Sequence, residues 1–178
     1  RNTNHPSSKG TFLISTPRTQ SIQSVDRGLA IPAQAYPAMP PGVQGPFTLI
    51  KVVDGDIIWV DNGGRMKIRM IGMDTPESVD PRKPVQCFGL EASAQAKTIL
   101  GGQSVYLETD PSQDSIDKFG RTLAYVWTAS GRLFNLDMIA DGFAFEYTYD
   151  LPYRYQQALR AAEDDAQAQE RGLWSTST

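Results

Sequence analysis

Four short segments hold the residue types and spacings that could do chemistry: Asp54-Gly55-Asp56, Arg69, Asp74-Thr75-Pro76-Glu77 and Asp117-Lys118-Phe119-Gly120-Arg121. Singly, each has an ordinary explanation. Asp-Gly-Asp and Asp-Thr-Pro commonly start turns, and Lys118 to Arg121 reads as a glycine loop with solvated charges. Together they describe something more specific. Asp56 and Asp74 offer carboxylate oxygens to a hard cation and the Thr75 carbonyl offers a third ligand, with water completing the shell as it does around Ca²⁺. Glu77 follows Asp74 by three residues, behind the rigid ring of Pro76, where it can face a metal-held water without being a strong ligand itself. Arg69 and Arg121, on separate elements, would clamp one phosphate with paired guanidinium donors. Exclusion points the same way. His5 is the single histidine and Cys87 the single cysteine, so Ser-His-Asp triads, histidine–metal nucleases and Cys/His zinc clusters lack their side chains.

Those segments need a scaffold, and the pattern supplies one. Phe47–Val53, Asp56–Val60 and Met66–Gly72 are runs of β-branched and aromatic residues, with Asp61-Asn62-Gly63-Gly64 as a tight hairpin between the second and third. Alternation in the third run sets Ile68 and Met70 on one face and Lys67 and Arg69 on the other, so Arg69 points away from the core. Phe88 to Leu100 changes to helical spacing before Gly101-Gly102. Two more strands follow, Ser104–Thr109 and Thr122–Thr128. A β-β-β-α-β-β order is that of a five-stranded Greek-key barrel of the oligonucleotide/oligosaccharide-binding (OB) type, an α+β fold. A helix over Asn135–Asp141 and a longer one over Pro152–Arg171 complete it. The long helix carries an apolar stripe of Ala158, Leu159, Ala162 and Ala166, with Glu163 to Asp165 solvated and Leu173 and Trp174 docking on the core.

The chain of 178 residues has a formal net charge of −3, unevenly spread. Residues 1–46 are rich in Ser, Thr, Pro and Gln and read as a tail or linker, in which Arg1, Lys9, Arg18 and Arg27 face Asp26 alone. The folded part, 47–178, is therefore acidic, which argues against a tight duplex binder held mainly by phosphate neutralisation. A polyanionic substrate would need a local basic site or a bound cation. No run approaches the roughly 18 apolar residues that span a bilayer. Cys87, just before the first helix, reads as a small packed residue, and the Arg1 start is that of a processed or trimmed chain.

The four segments, in this order, resemble the staphylococcal nuclease (thermonuclease) family. Phe88-Gly89-Leu90-Glu91-Ala92-Ser93, Leu123-Ala124-Tyr125, Tyr147 with Tyr149, and Gly172-Leu173-Trp174 extend the resemblance from Phe47 to about Ser175. It implies a Ca²⁺-dependent phosphodiesterase that acts on DNA and RNA with little base specificity and leaves 3′-phosphate ends. By position, Asp56, Asp74 and the Thr75 carbonyl would bind the ion, Glu77 would be general base or water-positioning group, and Arg69 and Arg121 would hold the scissile phosphate. Lys118 is a further candidate phosphate contact. Tyr147 and Tyr149 either stack on a base or sugar, or pack in the core and hold the last helix. The family is often exported, which implies a secreted or periplasmic protein, here expected as a monomer without a protein partner. Two positions depart from the family pattern. Phe119 replaces the tyrosine of Lys-Tyr-Gly-Arg and so lacks a hydroxyl for phosphate, and Ile57 replaces the threonine after Asp-Gly-Asp. The alternative reading is a noncatalytic OB-fold module that binds nucleic acid or protein. A third, a structural calcium site at Asp110, Asp114 and Asp117, lacks the glycine and terminal glutamate of a helix-loop-helix calcium loop.

Overall fold

The computed structural model describes residues 36–77 and 88–175. Its strands are β1 (Gln44–Asp54), β2 (Ile57–Asp61), β3 (Arg65–Met70), β4 (Met73–Asp74), β5 (Ser104–Glu108), β6 (Thr122–Thr128) and β7 (Phe145–Glu146). Its helices are α1 (Gly89–Leu100), α2 (Phe134–Ala140) and α3 (Gln156–Ala168), with a 3₁₀ turn at Gly172–Trp174. Five strands close a barrel in the order β1-β2-β3-β6-β5, while β4 and β7 form a separate two-stranded ribbon. Barrel pairs are antiparallel except β3 with β6. This is the OB-type barrel with three helices that the element order implies.

Period-two patterning explains the inner face: Ile58 and Val60 of β2 and Ile68 and Met70 of β3 are buried, and their neighbours point outward. The hairpin forms at Asn62 to Gly64, where Asp61 Oδ1 accepts from Gly63 N at 3.0 Å. Strand β6 does not alternate, because Ala124 to Trp127 are buried throughout. Tyr155 covers its outer side, meeting the Tyr125 and Trp127 rings edge-on at 4.7 and 5.9 Å. Strand β3 stops at Met70, short of the expected Gly72. Gly72 turns the chain at φ 77°, and a Cβ there would lie 2.6 Å from the Tyr153 ring, so only glycine fits.

Helix α1 packs through Leu100 and through Ala92 and Ala96, whose small side chains permit close approach, and it leaves Leu90 exposed. Helix α3 is shorter than the Pro152–Arg171 span expected. At its start Tyr153 OH donates to Glu146 Oε1 at 2.7 Å and Arg154 N donates to Asp110 Oδ2 at 2.8 Å, bonds that hold the segment along the barrel. At its end Glu170 is left-handed at φ 51° and Arg171 N bonds back to Ala166 O at 2.9 Å. Leu159, Ala162 and Ala166 form the buried stripe, and Ala158 is partly buried. Glu163 is not left to solvent, since it accepts from Glu146 N at 3.1 Å. Trp174 is half-buried and meets Phe145 edge-on at 5.5 Å.

The expected tail lies outside the described residues up to 35, as do His5 and Cys87. From Tyr36 onward the chain is attached. Tyr36, Met39 and Val43 pack against the core, and Tyr36 OH donates to Asp137 Oδ1 at 2.6 Å under the Arg132 guanidinium. Strand β1 begins at Gln44, ahead of Phe47, because its first residues pair with β5.

Asp110 is the second tie between barrel and α3. Burial acts to raise its pKa, but Arg154 N, Ser112 and Tyr125 OH all donate to it and hold the carboxyl below its ordinary value. A lowered native pKa contributes stability above the unfolded-state value, lost as pH falls through the native one. Asp110→Asn should therefore be less stable than the parent at pH 7, and the gap should shrink below about pH 4. Urea unfolding at both pH values checks this.

Candidate functional site

The site starts at the β1–β2 turn. Asp54 Oδ1 accepts from Gly55 N at 2.9 Å, and Asp56 O accepts from Met70 N at 3.1 Å, which fixes the turn against the end of β3. Gly55 is required by proximity. A Cβ there would lie 2.6 Å from Thr75 Cγ2 and 2.9 Å from Thr75 Oγ1, so the missing side chain is what lets the Asp-Gly-Asp turn lie against Asp74-Thr75. Gly55→Ala should cost about 1–3 kcal/mol through overpacking, read as a lower urea midpoint at unchanged m-value.

Arg69 ties the two turns together. Its outward place on β3, opposite Ile57, brings Nη1 to 3.0 Å from Asp56 Oδ2 and Nη2 to 2.8 Å from Asp74 Oδ1. Nη1 also donates to Met70 O at 2.9 Å and Met73 O at 2.7 Å. Burial pushes the Asp56 carboxyl up to about 7, against the pull of Arg69, and the carboxylates of Asp74 and Asp54 add to the rise. Loss of water, more than the neighbouring charges, sets this rise. Thr75 is buried, and among the described residues its Oγ1 has no hydrogen-bond partner.

These residues fit a hard divalent cation. The donors are all oxygen, and two carboxylates share one guanidinium. Among the described residues no three His, Cys, Asp or Glu side chains gather into a cage. An ion here would take its remaining ligands from main-chain oxygens, water and substrate. The structural calcium reading at Asp110, Asp114 and Asp117 is not supported: Asp110 accepts from Tyr125, Ser112 and Arg154, and Asp117 is taken up by the arginine loop.

Beside this centre lies a cleft of about 520 Å³, lined by Arg69, Asp74, Lys118, Arg121, Tyr147 and Tyr149 among others. Asp117 builds its far wall. Its Oδ1 accepts from Phe119 N and Arg121 N, each at 2.9 Å, and its Oδ2 accepts from Arg121 Nε at 2.6 Å. These bonds outweigh the effect of burial and hold the Asp117 carboxyl below its ordinary value. With Nε committed, no described residue takes the terminal NH₂ groups of Arg121, which lines the cleft. Phe119 is 70% exposed, with Lys118 Nζ 5.2 Å and Arg121 Cζ 5.1 Å from its ring centre.

The ribbon brings in the tyrosines. β7 pairs with β4, Tyr147 N donates to Gly72 O at 3.0 Å, and Tyr147 and Tyr149 enter the cleft wall with ring centres 6.5 Å apart. Tyr149 is 75% exposed, so it is not a core residue. Glu77 follows Thr75-Pro76 with its main chain against Gly89 at the start of α1, and it is not among the residues lining the cleft. Sequence reasoning missed Asp117 as the residue that orients Arg121. The spacing held a signal, since an Asp four residues before an Arg across a glycine turn can bond both its main chain and its guanidinium.

Residues 67–176 match the family model described as Staphylococcal nuclease homologue. The chain belongs to the staphylococcal nuclease family. It is 42% identical to the thermonuclease of Staphylococcus hyicus over 130 residues, covering 72% of this chain and 75% of that protein. Against the thermonuclease of Staphylococcus intermedius it is 40% identical over 134 residues, 74% and 78% of the two chains. Endonuclease YncB of Bacillus subtilis (strain 168) is 34% identical over 132 residues, 73% of this chain and 62% of that one. The family match takes in Arg69, Asp74, Thr75, Glu77 and Arg121, while Asp56 lies ahead of its first residue.

Proposed function

We propose that this member of the staphylococcal nuclease family is a Ca²⁺-dependent nuclease, hydrolysing DNA and RNA with little base specificity and leaving 3′-phosphate ends. The observation that carries this reading is the convergence of Arg69, Asp74 and Arg121 on one cleft, with Arg69 also paired to Asp56 beside it. Asp56, Asp74 and the Thr75 carbonyl would hold the ion. When bound, Ca²⁺ supplies positive charge against a dianionic transition state and a place for water near phosphorus.

The chain's own residues account for the rest. Arg121, whose terminal NH₂ groups are taken by none of the described residues, binds two phosphate oxygens, and Arg69 adds the donors that its bonds to Asp74 and two carbonyls and its ion pair with Asp56 leave over. Glu77 takes a proton from the attacking water. As the new P–O bond forms, the P–O5′ bond breaks in line with it, and the departing 5′-oxygen takes a proton from solvent water to become the 5′-hydroxyl of the downstream fragment. The phosphate stays on the 3′ side. Tyr147 and Tyr149 offer ring faces to a base or sugar, which every nucleotide can use, and Lys118 supplies a further phosphate contact. Phe119 contributes a ring face without a hydroxyl.

A site with two carboxylates suits the high calcium found outside cells, where modules bind at about 10⁻⁴–10⁻³ M. We therefore place the protein as secreted or periplasmic and acting as a monomer. Among the described residues no helix is long and apolar enough to cross a membrane. The test is incubation of pure protein with end-labelled single-stranded DNA and RNA, in Ca²⁺ and in chelator. Cleavage of both only with Ca²⁺, with phosphatase-sensitive 3′ ends, is the expected result. Binding without cleavage at any metal concentration would favour the noncatalytic module.

A further inference from the structure

The outer face of the β1-β2-β3 sheet carries a row of charge that starts at Arg69 and runs on beyond the cleft. With Ile68 and Met70 buried, Arg65, Lys67 and Arg69 must all face outward from β3 at two-residue intervals. The register sets Lys67 opposite Trp59 of β2, and Trp59 opposite Lys51 of β1. Lys67 Nζ lies 5.7 Å from the centre of the Trp59 ring, and Trp59 is only half-buried. Lys51 and Arg65 are exposed, and among the described residues none of Lys51, Arg65 and Lys67 is in an ion pair. A lysine over a tryptophan is common surface chemistry. This one belongs to a row of unpaired cations on an otherwise acidic domain, and the row ends at Arg69 in the cleft.

We propose that Arg65, Lys67 and Lys51, with the Trp59 ring between the two lysines, form a binding track for the continuation of a nucleic-acid strand whose scissile phosphate lies at Arg69 and Arg121. The inference rests on the nuclease reading above and deepens it. Alternate residues on a strand are roughly 7 Å apart, so the cations of β3 are spaced to meet successive phosphates of an extended strand. A flat aromatic face among backbone-tracking cations is the arrangement that binds single strands without reading sequence. Duplex would fit less well, since its bases are not free to stack on Trp59.

The test compares the wild type with the double variant Arg65→Ser/Lys67→Ser. Binding of a fluorescent phosphorothioate 20-mer and of a trinucleotide is followed by anisotropy in Ca²⁺, and cleavage of ordinary DNA is followed separately. The track requires 20-mer binding to weaken about fivefold to tenfold, and the slope of log affinity against log salt to become shallower by about 1.4, or 0.7 for each lost phosphate contact. Trinucleotide affinity should change less than twofold, and Lys67→Arg alone should keep the 20-mer affinity. Unchanged 20-mer affinity and salt slope, or equal weakening for both ligands, would overturn the track. Loss of cleavage in the wild type would instead count against the nuclease reading, because the binding comparison does not depend on turnover.

Discussion

Arg121→Lys should cleave single-stranded DNA about 10²–10³ times more slowly than the parent, the usual cost of removing one preorganised donor to a developing oxyanion. Charge is conserved in this change, so the effect isolates geometry. Arg121 gives its Nε–H to Asp117 at 2.6 Å, and among the described residues none takes its terminal NH₂ groups. An ammonium on a flexible stem cannot serve Asp117 and two phosphate oxygens at once. The loss should fall mainly on kcat, with kcat/KM following, because the second donor matters most as charge builds on the phosphate. Stability should change little, since the loop keeps the bonds from Phe119 N and Arg121 N to Asp117. A steady-state rate within threefold of wild type would remove Arg121 from the phosphate.

Glu77→Gln should lower kcat by about 10²–10⁴, the range for loss of a positioned general base. The amide has nearly the shape of the acid, so urea unfolding should show a much smaller change than the rate. Equal turnover in parent and variant would leave the water to another base.

Much of the barrel is legible in the sequence, for identifiable reasons. Strands β2 and β3 alternate because one side of each faces the core and the other faces outward, and the Asp61 to Gly64 hairpin follows from residues that tolerate its turn. Strand β6 carries no such signal, being covered on both sides once Tyr155 docks. Helical pattern alone overextends α3, because Pro152 to Arg154 look compatible with a helix until Glu146 claims Tyr153 and Asp110 and Glu108 claim Arg154 from across the chain. Glu108 accepts from Trp127 Nε1 at 2.8 Å, from Tyr155 OH at 2.9 Å and from the Arg154 guanidinium. Bonds between residues so far apart in sequence leave no local trace. Asn135 is similar: it accepts from Val126 N and donates to Ile71 O, both at 2.9 Å, bridging β6 to the end of β3.

The site divides along the same line. Residue types and spacing mark Asp56, Arg69, Asp74 and Arg121 as a set, and the structure joins the first three directly and sets Arg121 in the cleft that holds Arg69 and Asp74. The sequence does not reveal that Gly55 is there to admit Thr75, since a glycine between two aspartates already makes sense as a turn. Nor does it reveal the row that Lys67 makes with Trp59 and Lys51, which exists only in the cross-strand register.

The most direct test of the central claim, that Asp56 and Asp74 form one cation site beside the two arginines, is calorimetric titration of Ca²⁺ into metal-stripped protein, with and without a nucleoside 3′,5′-bisphosphate. The expected result is one ion per chain, held more tightly when the nucleotide is present, with the binding heat lost in Asp56→Asn. Absence of binding in both conditions, or wild-type binding in Asp56→Asn, would contradict it.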